Sequence, residues 1–85
     1  MLFILWFKFE PENTHKVIEL WKHFKYPSEI KLINRYLLIG RHTSLAIFDA
    51  QDEESLIKVV GPFANLGVAH VTPAMKLEEA LKVTW

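Results

Sequence analysis

A β-strand with one face in water alternates apolar and polar residues. The stretch from Leu2 to Phe9, LFILWFKF, does not: only Lys8 breaks it, near its end. On an extended strand Phe3, Leu5, Phe7 and Phe9 share one side, and Leu2, Ile4, Trp6 and Lys8 share the other. A strand apolar on both sides asks for cover on both sides. The chain has 85 residues, enough for a single domain over residues 1–85 and not for a second layer of its own.

The rest of the chain says what cover is at hand. Pro11 ends the first strand and suits the start of a helix. Val17, Leu20, Trp21 and Phe24 then fall at i, i+3, i+4 and i+7, the apolar face of a helix that Tyr26-Pro27-Ser28 stops. IKLINRYLLIG reads as a second strand, Gly40-Arg41-His42 as a hairpin turn, and TSLAIFDA as a third strand. Asp52 is the expected cap of a second helix, whose face is Leu56, Val59, Val60 and Phe63. Gly61-Pro62 should end or kink it. VAHVTPAM is a fourth strand, with Pro73 suited to an end or a sheet edge. Leu77, Ala80 and Leu81 predict a short C-terminal helix.

Strand, helix, strand, strand, helix, strand is the ferredoxin-like βαββαβ order, an α+β fold. It predicts a four-stranded antiparallel sheet in the order 4-1-3-2, with both helices on one face. Phe3, Leu5, Phe7 and Phe9 are assigned to the helices, joined by Ile33, Leu37, Ile39, Leu45, Ile47, Ala69 and Val71. The other face would carry Trp6, Tyr36, Leu38, Ala46, Phe48, His70 and Thr72. Leaving about six large apolar side chains wet would forgo roughly 10 kcal/mol, at about 1.5–3 kcal/mol each. A second copy packed sheet on sheet answers this, with on the order of 800 Å² buried per chain. The expectation is a homodimer, or a higher oligomer built from it, forming a dimeric α/β barrel.

Composition narrows the function. Ten basic and ten acidic residues leave no net charge, against the cationic surface of a nucleic-acid binder. The third strand also lacks the Arg-Gly-aromatic pattern by which RRM domains of this topology bind RNA. Hydrophobic residues make up 51%, high for so short a chain, which again points to burial between subunits. There is no cysteine, hence no disulfide or thiolate metal site, and a reducing cytoplasm suits such a chain. No apolar run approaches the roughly 20 residues of a membrane span, and no signal-peptide pattern is present.

Candidate chemistry gathers on the second sheet face. Lys8, His70 and Thr72 are its polar members, and with Trp6, Tyr36 and Phe48 they form the candidate ligand site. A few polar groups in an apolar enclosure are the usual lining of a small-molecule site, and a histidine there suits general-base or hydrogen-bonding work. Against this stands the plainer reading, Lys8 and Thr72 at a wet rim and His70 satisfied in an interface. His15, Glu19 and His23 recur every four residues along the first helix. The outer two lie about 12 Å apart at 1.5 Å per residue, so a solvated face is expected and no metal site. Arg41 and His42 read as turn polarity. The pairs Glu53-Glu54 and Glu78-Glu79 fall in first helical turns, where acids favour the dipole. No phosphate loop, nucleophile elbow or zinc-finger spacing occurs, and no cofactor is implied.

At KLINRYLLIG, IFDAQDEESL and HVTPAMKLEEAL the chain resembles a small family of unknown function with a dimeric ferredoxin-like α/β-barrel domain. MLFILWFKFEPEN is similar to that family's opening strand and its Pro-Glu-Asn. Arg35-Tyr36 is similar to its Arg-Trp pair, Phe48-Asp49 with Asp52 to its acidic step, and Val71-Thr72-Pro73 to its Val-Thr-Pro. A weaker similarity extends to GYD-type domains. The chain departs from the pattern at Leu37, where a His usually follows the pair, and at His70, where an acid usually precedes Val-Thr-Pro. The resemblance implies the fold and a homodimer of two sheets, and no established activity.

Three expectations follow. The first is a homodimer holding a small, largely apolar or aromatic molecule between sheet faces. The second is a cofactor-independent monooxygenase or isomerase using the same pocket, with His70, Trp6 and Tyr36. The third is a structural or regulatory dimer without ligand. Trp85 is expected to pack over the barrel or onto the partner.

Overall fold

A computed structural model describes residues 1–84; the expectation for Trp85 lies outside the described residues. Strands β1 (Leu2–Phe9), β2 (Ile30–Leu38), β3 (Thr43–Ala50) and β4 (Gly67–Ala74) form one antiparallel sheet in the order β2-β3-β1-β4. This is the expected 4-1-3-2 read from the opposite edge. Helices α1 (Thr14–His23), α2 (Glu54–Val60) and α3 (Leu77–Thr84) complete an α+β fold. The shortest principal extent is 18 Å, room for one sheet and one helical layer at the usual layer spacing of about 10 Å.

Each element starts and stops for local reasons. Pro11 opens a single 3-10 turn that leads into α1, and Pro62 sits in another that closes α2 after Gly61. The Asp52 carboxylate accepts hydrogen bonds from the Ser55 backbone N–H at 2.9 Å and the Ser55 hydroxyl at 2.8 Å. It thus caps α2 as expected, and the Ser55 side-chain and backbone bonds lower its pKa. In the β2–β3 hairpin Gly40 (φ 82°) and His42 (φ 50°) take left-handed conformations, open to glycine and tolerated by histidine. Gly67 meets Phe9 across the β1–β4 ladder. A Cβ there would collide with the Lys8 carbonyl oxygen and lie 2.6 Å from the Phe9 Cα, so the strands approach this closely only over glycine.

The core fills the space between one sheet face and two helices, in two clusters. Phe3, Leu5, Ile30, Ala46, Phe48, Ala50 and Val59 form one. Phe7, Phe9, Val17, Phe63 and Leu66 form the other, with Leu20, Trp21 and Phe24 packed against it. The predicted faces of α1, α2 and β1 are thus the observed ones.

The predicted faces of β3 are reversed. Phe3 pairs with Phe48 and Leu5 with Ala46, so Phe48 and Ala46 lie under the helices, Phe48 fully buried. Ile4 pairs with Ile47 and Trp6 with Leu45, which puts Leu45 and Ile47 on the open side. Both faces of TSLAIFDA are apolar, so alternation alone gives no sign; the pairing with β1 sets it. In β2 the register shifts between Leu32 and Asn34, an irregularity of the bulge kind. Leu32 pairs with Phe48 on the helix side, Ile33 is half exposed at the shift, and Leu37 faces the helix side but lies largely exposed. Ile39 is 93% exposed beside the hairpin turn. None of Ile33, Leu37 or Ile39 joins the core as expected. Ala69 and Val71 do pack against it.

Candidate functional site

The strand registers place the open-face residues in rows across the sheet. One row runs His70, Trp6, Leu45, Tyr36, from β4 through β1 and β3 to β2. The next runs Thr72, Ile4, Ile47, Asn34, and on the other side lies Val68, Lys8, Thr43, Leu38. Trp6 is therefore the centre of the predicted site. His70 is its direct neighbour, and Lys8 and Thr72 lie on the same face two positions along their strands. Tyr36 lies three strand spacings from His70, about 14 Å, with Trp6 and Leu45 between. Phe48 is not part of this site: it points to the opposite face, into the core.

This face is uncovered. Trp6 is 47% and Tyr36 48% exposed, and Val68 more so. The helix α3 adds no lid, since its own Leu77, Leu81 and Val83 stay exposed. Among the described residues no buried polar side-chain atom lacks a hydrogen-bond partner, so no unsatisfied group marks a catalytic centre. Glu19 on α1 lies 3.6 Å from His23 and 3.7 Å from Lys22, an exposed cluster of ion pairs. Among the described residues no group of three or more His, Asp or Glu is arranged to hold a metal. The rings of His42 and Phe9 meet at nearly a right angle with centroids 5.6 Å apart, and the His42 carbonyl accepts from the Phe9 N–H, so His42 serves the hairpin.

A second concavity lies on the other side of the sheet. A cavity of about 280 Å³ opens between the helices and the sheet, where the two core clusters part. Leu5, Phe7, Trp21, Val59 and Phe63 form apolar walls, and Tyr26, Arg35, Ser44 and, at the border, the predicted Tyr36 bring the polar groups. Arg35 pairs with Ala46 and Ser44 with Leu37, which sets both polar residues on the helix side of neighbouring strands. Sequence reasoning missed this site. The signal was there in β2: once Leu37 is placed toward the helices, alternation places Arg35 there too, a charge on the helix side of an edge strand.

Among the described residues no helix is long and apolar enough to cross a membrane. No curated protein matches the chain. The weaker likeness to GYD-type domains has no counterpart among the matches found. A family match runs over residues 1–84, nearly the whole chain, and it agrees with the family likeness carried by the opening strand and the Val-Thr-Pro of β4: the chain belongs to the family described as Domain of unknown function (DUF3303).

Proposed function

We propose that the protein is a homodimer joined through the open face of its sheet, holding a small, largely apolar or aromatic molecule between the two faces. The single observation that carries this is the row His70, Trp6, Leu45, Tyr36 with Ile4, Ile47 and Val68 around it, an apolar surface with no covering element of its own. A surface of that kind on a soluble monomer marks an interaction site. A second copy is the occupant whose shape and chemistry match by symmetry, since the same patch faces itself across a two-fold axis. The exposed Leu77 and Leu81 of α3 offer a further apolar strip to a neighbour. The ligand would lie over Trp6, with Lys8, His70 and Thr72 supplying polar contacts. The cysteine-free chain suits a cytoplasmic setting.

Sedimentation equilibrium across micromolar concentrations tests the assembly: a dimer is expected, and Ile47→Asp should return it to monomer. A wild-type chain that stays monomeric throughout would remove the proposal. A thermal-shift screen of small aromatic molecules, repeated on Trp6→Ala, tests the ligand. Hits that stabilise both proteins equally would place binding elsewhere.

The direct pairing of Trp6 with His70 favours a second reading, cofactor-independent catalysis of the isomerase or monooxygenase class. The imidazole would exchange a proton with a substrate stacked on the indole. Turnover of any hit, unchanged in His70→Ala, would count against it.

A further inference from the structure

We infer that each chain carries a separate binding site for a small apolar monocarboxylate, in the cavity between its helices and its sheet. This goes beyond the proposal above, because the cavity is lined mainly by helix-side residues, with Tyr36 and Leu45 of the Trp6 row only at its border, and needs no second copy.

The first argument is the gap itself. Folded interiors close to crystal-like density, with few voids larger than a water. Here about 280 Å³ stays open between two core clusters, lined by members of both: Leu5 and Val59 from one, Phe7 and Phe63 from the other. The gap is partly open to solvent beside the exposed Arg35 and Leu37. Water filling it would face mostly hydrocarbon and find few partners. A small organic occupant answers this, and the volume lies just below the usual range of ligand pockets, about 300–1,000 Å³.

The second argument is the polar lining. Arg35 reaches the cavity from β2, and among the described residues neither a hydrogen bond nor an ion pair holds its guanidinium. Ser44 stands on the adjacent strand of the same face, diagonal to Arg35 and so roughly 7 Å away between Cα atoms. Tyr26 adds a phenol at the wall. One planar cation that can grip two oxygens, with hydroxyl groups beside it, selects a carboxylate. Among the described residues no second cation lines the cavity, which disfavours a phosphate dianion. The apolar remainder, with the rings of Phe7, Trp21 and Phe63, suits an aromatic or short branched tail.

The test is an amide-resolved NMR titration of the full chain with phenylpropanoate, and with phenylpropanamide as the uncharged control. The expected result is saturable shifts at Ser44, Val59 and Ala69, with the acid binding roughly tenfold or more tighter than the amide. Arg35 is exposed on an edge strand, so Arg35→Gln should fold; it should erase the preference for the acid and leave the amide's affinity unchanged. No saturation below about 10 mM, a weaker affinity than any useful site, would overturn the inference. So would equal binding of the acid by wild type and Arg35→Gln, or shifts confined to Trp6, His70 and their neighbours. Loss of dimerisation in Ile47→Asp with retained acid binding would separate this site from the one between sheet faces.

Discussion

The two faces of β1 are nearly equal in hydrophobicity and opposite in fate. Phe3, Leu5, Phe7 and Phe9 are buried under α1 and α2, Phe7 to 2% exposure. Leu2 and Ile4 are partly exposed, and Trp6 is open at 47%. Composition does not distinguish the two sides; the supply of helices does. Two amphipathic helices with short connections reach one face of a four-stranded sheet, and among the described residues no third layer covers the other. An apolar surface that the fold leaves unfinished is the ground on which the proposed partner rests.

The sharpest way to break that comparison is to cut neighbouring residues of β3. Phe48→Ala removes a fully buried ring and should cost about 3–5 kcal/mol in urea unfolding. Ile47→Ala, one position away on the open face, should change the stability of the diluted monomer by under about 1 kcal/mol. Equal losses in the monomer would mean that the open face is covered from within the chain.

The next effect falls on association. Trp6→Ala empties the centre of the proposed interface, where aromatic side chains carry most of the energy. A loss of about 2 kcal/mol, close to a thirtyfold weaker dimer, is expected from sedimentation. The unfolding midpoint of the monomer should barely move. A dimer of unchanged affinity would shift the interface to α3 or to a sheet edge.

How much of this was legible beforehand depends on where two faces differ in kind. The helix faces of α1 and α2 mix apolar with charged residues, so a period near 3.6 named Val17, Leu20, Trp21, Val59 and Phe63 correctly. The element order and the Asp52 cap rest on Pro, Gly and Asp, whose backbone chemistry is local. Phe48 was placed on the wrong face because Leu45 and Ile47 are as apolar as Ala46 and Phe48. Only the pairing of Phe48 with Phe3 decides between them, and pairing is not local. The register shift at Ile33 is equally silent in the sequence. The row containing Trp6 and His70 was legible because Lys8, His70 and Thr72 mark their side of β1 and β4 by polarity.

Gly67 lies where β4 is pinned to β1, and it sharpens the comparison by disturbing both faces at once. Gly67→Ala forces a methyl group against the Lys8 carbonyl, so the strands must part at Phe9 on the helix side and Lys8 on the open side. About 1–3 kcal/mol of stability should be lost, the usual cost of overpacking. Hydrogen exchange should quicken along β4 while the β2–β3 hairpin keeps its protection. Uniform loss of protection across the sheet would show that β4 is not a separable edge.

The smallest effect probes the cover itself. Asp52 holds the first turn of α2, and the bonds from Ser55 keep its carboxyl below the ordinary value of 3.8. A folded pKa below the unfolded one means that the folded state favours the charged form. Its contribution is therefore whole above the unfolded value, at neutral pH, and is lost as pH falls below about 4 through the lowered folded value. Asp52→Asn should lose only the pH-dependent part, melting slightly lower at pH 7 and converging with wild type in acid. Because α2 covers only the helix side, dimer affinity in this variant should match wild type at pH 7. A dimer that weakened along with the cap would mean that the two faces of the sheet are coupled, and that the open side depends on how firmly the other is closed.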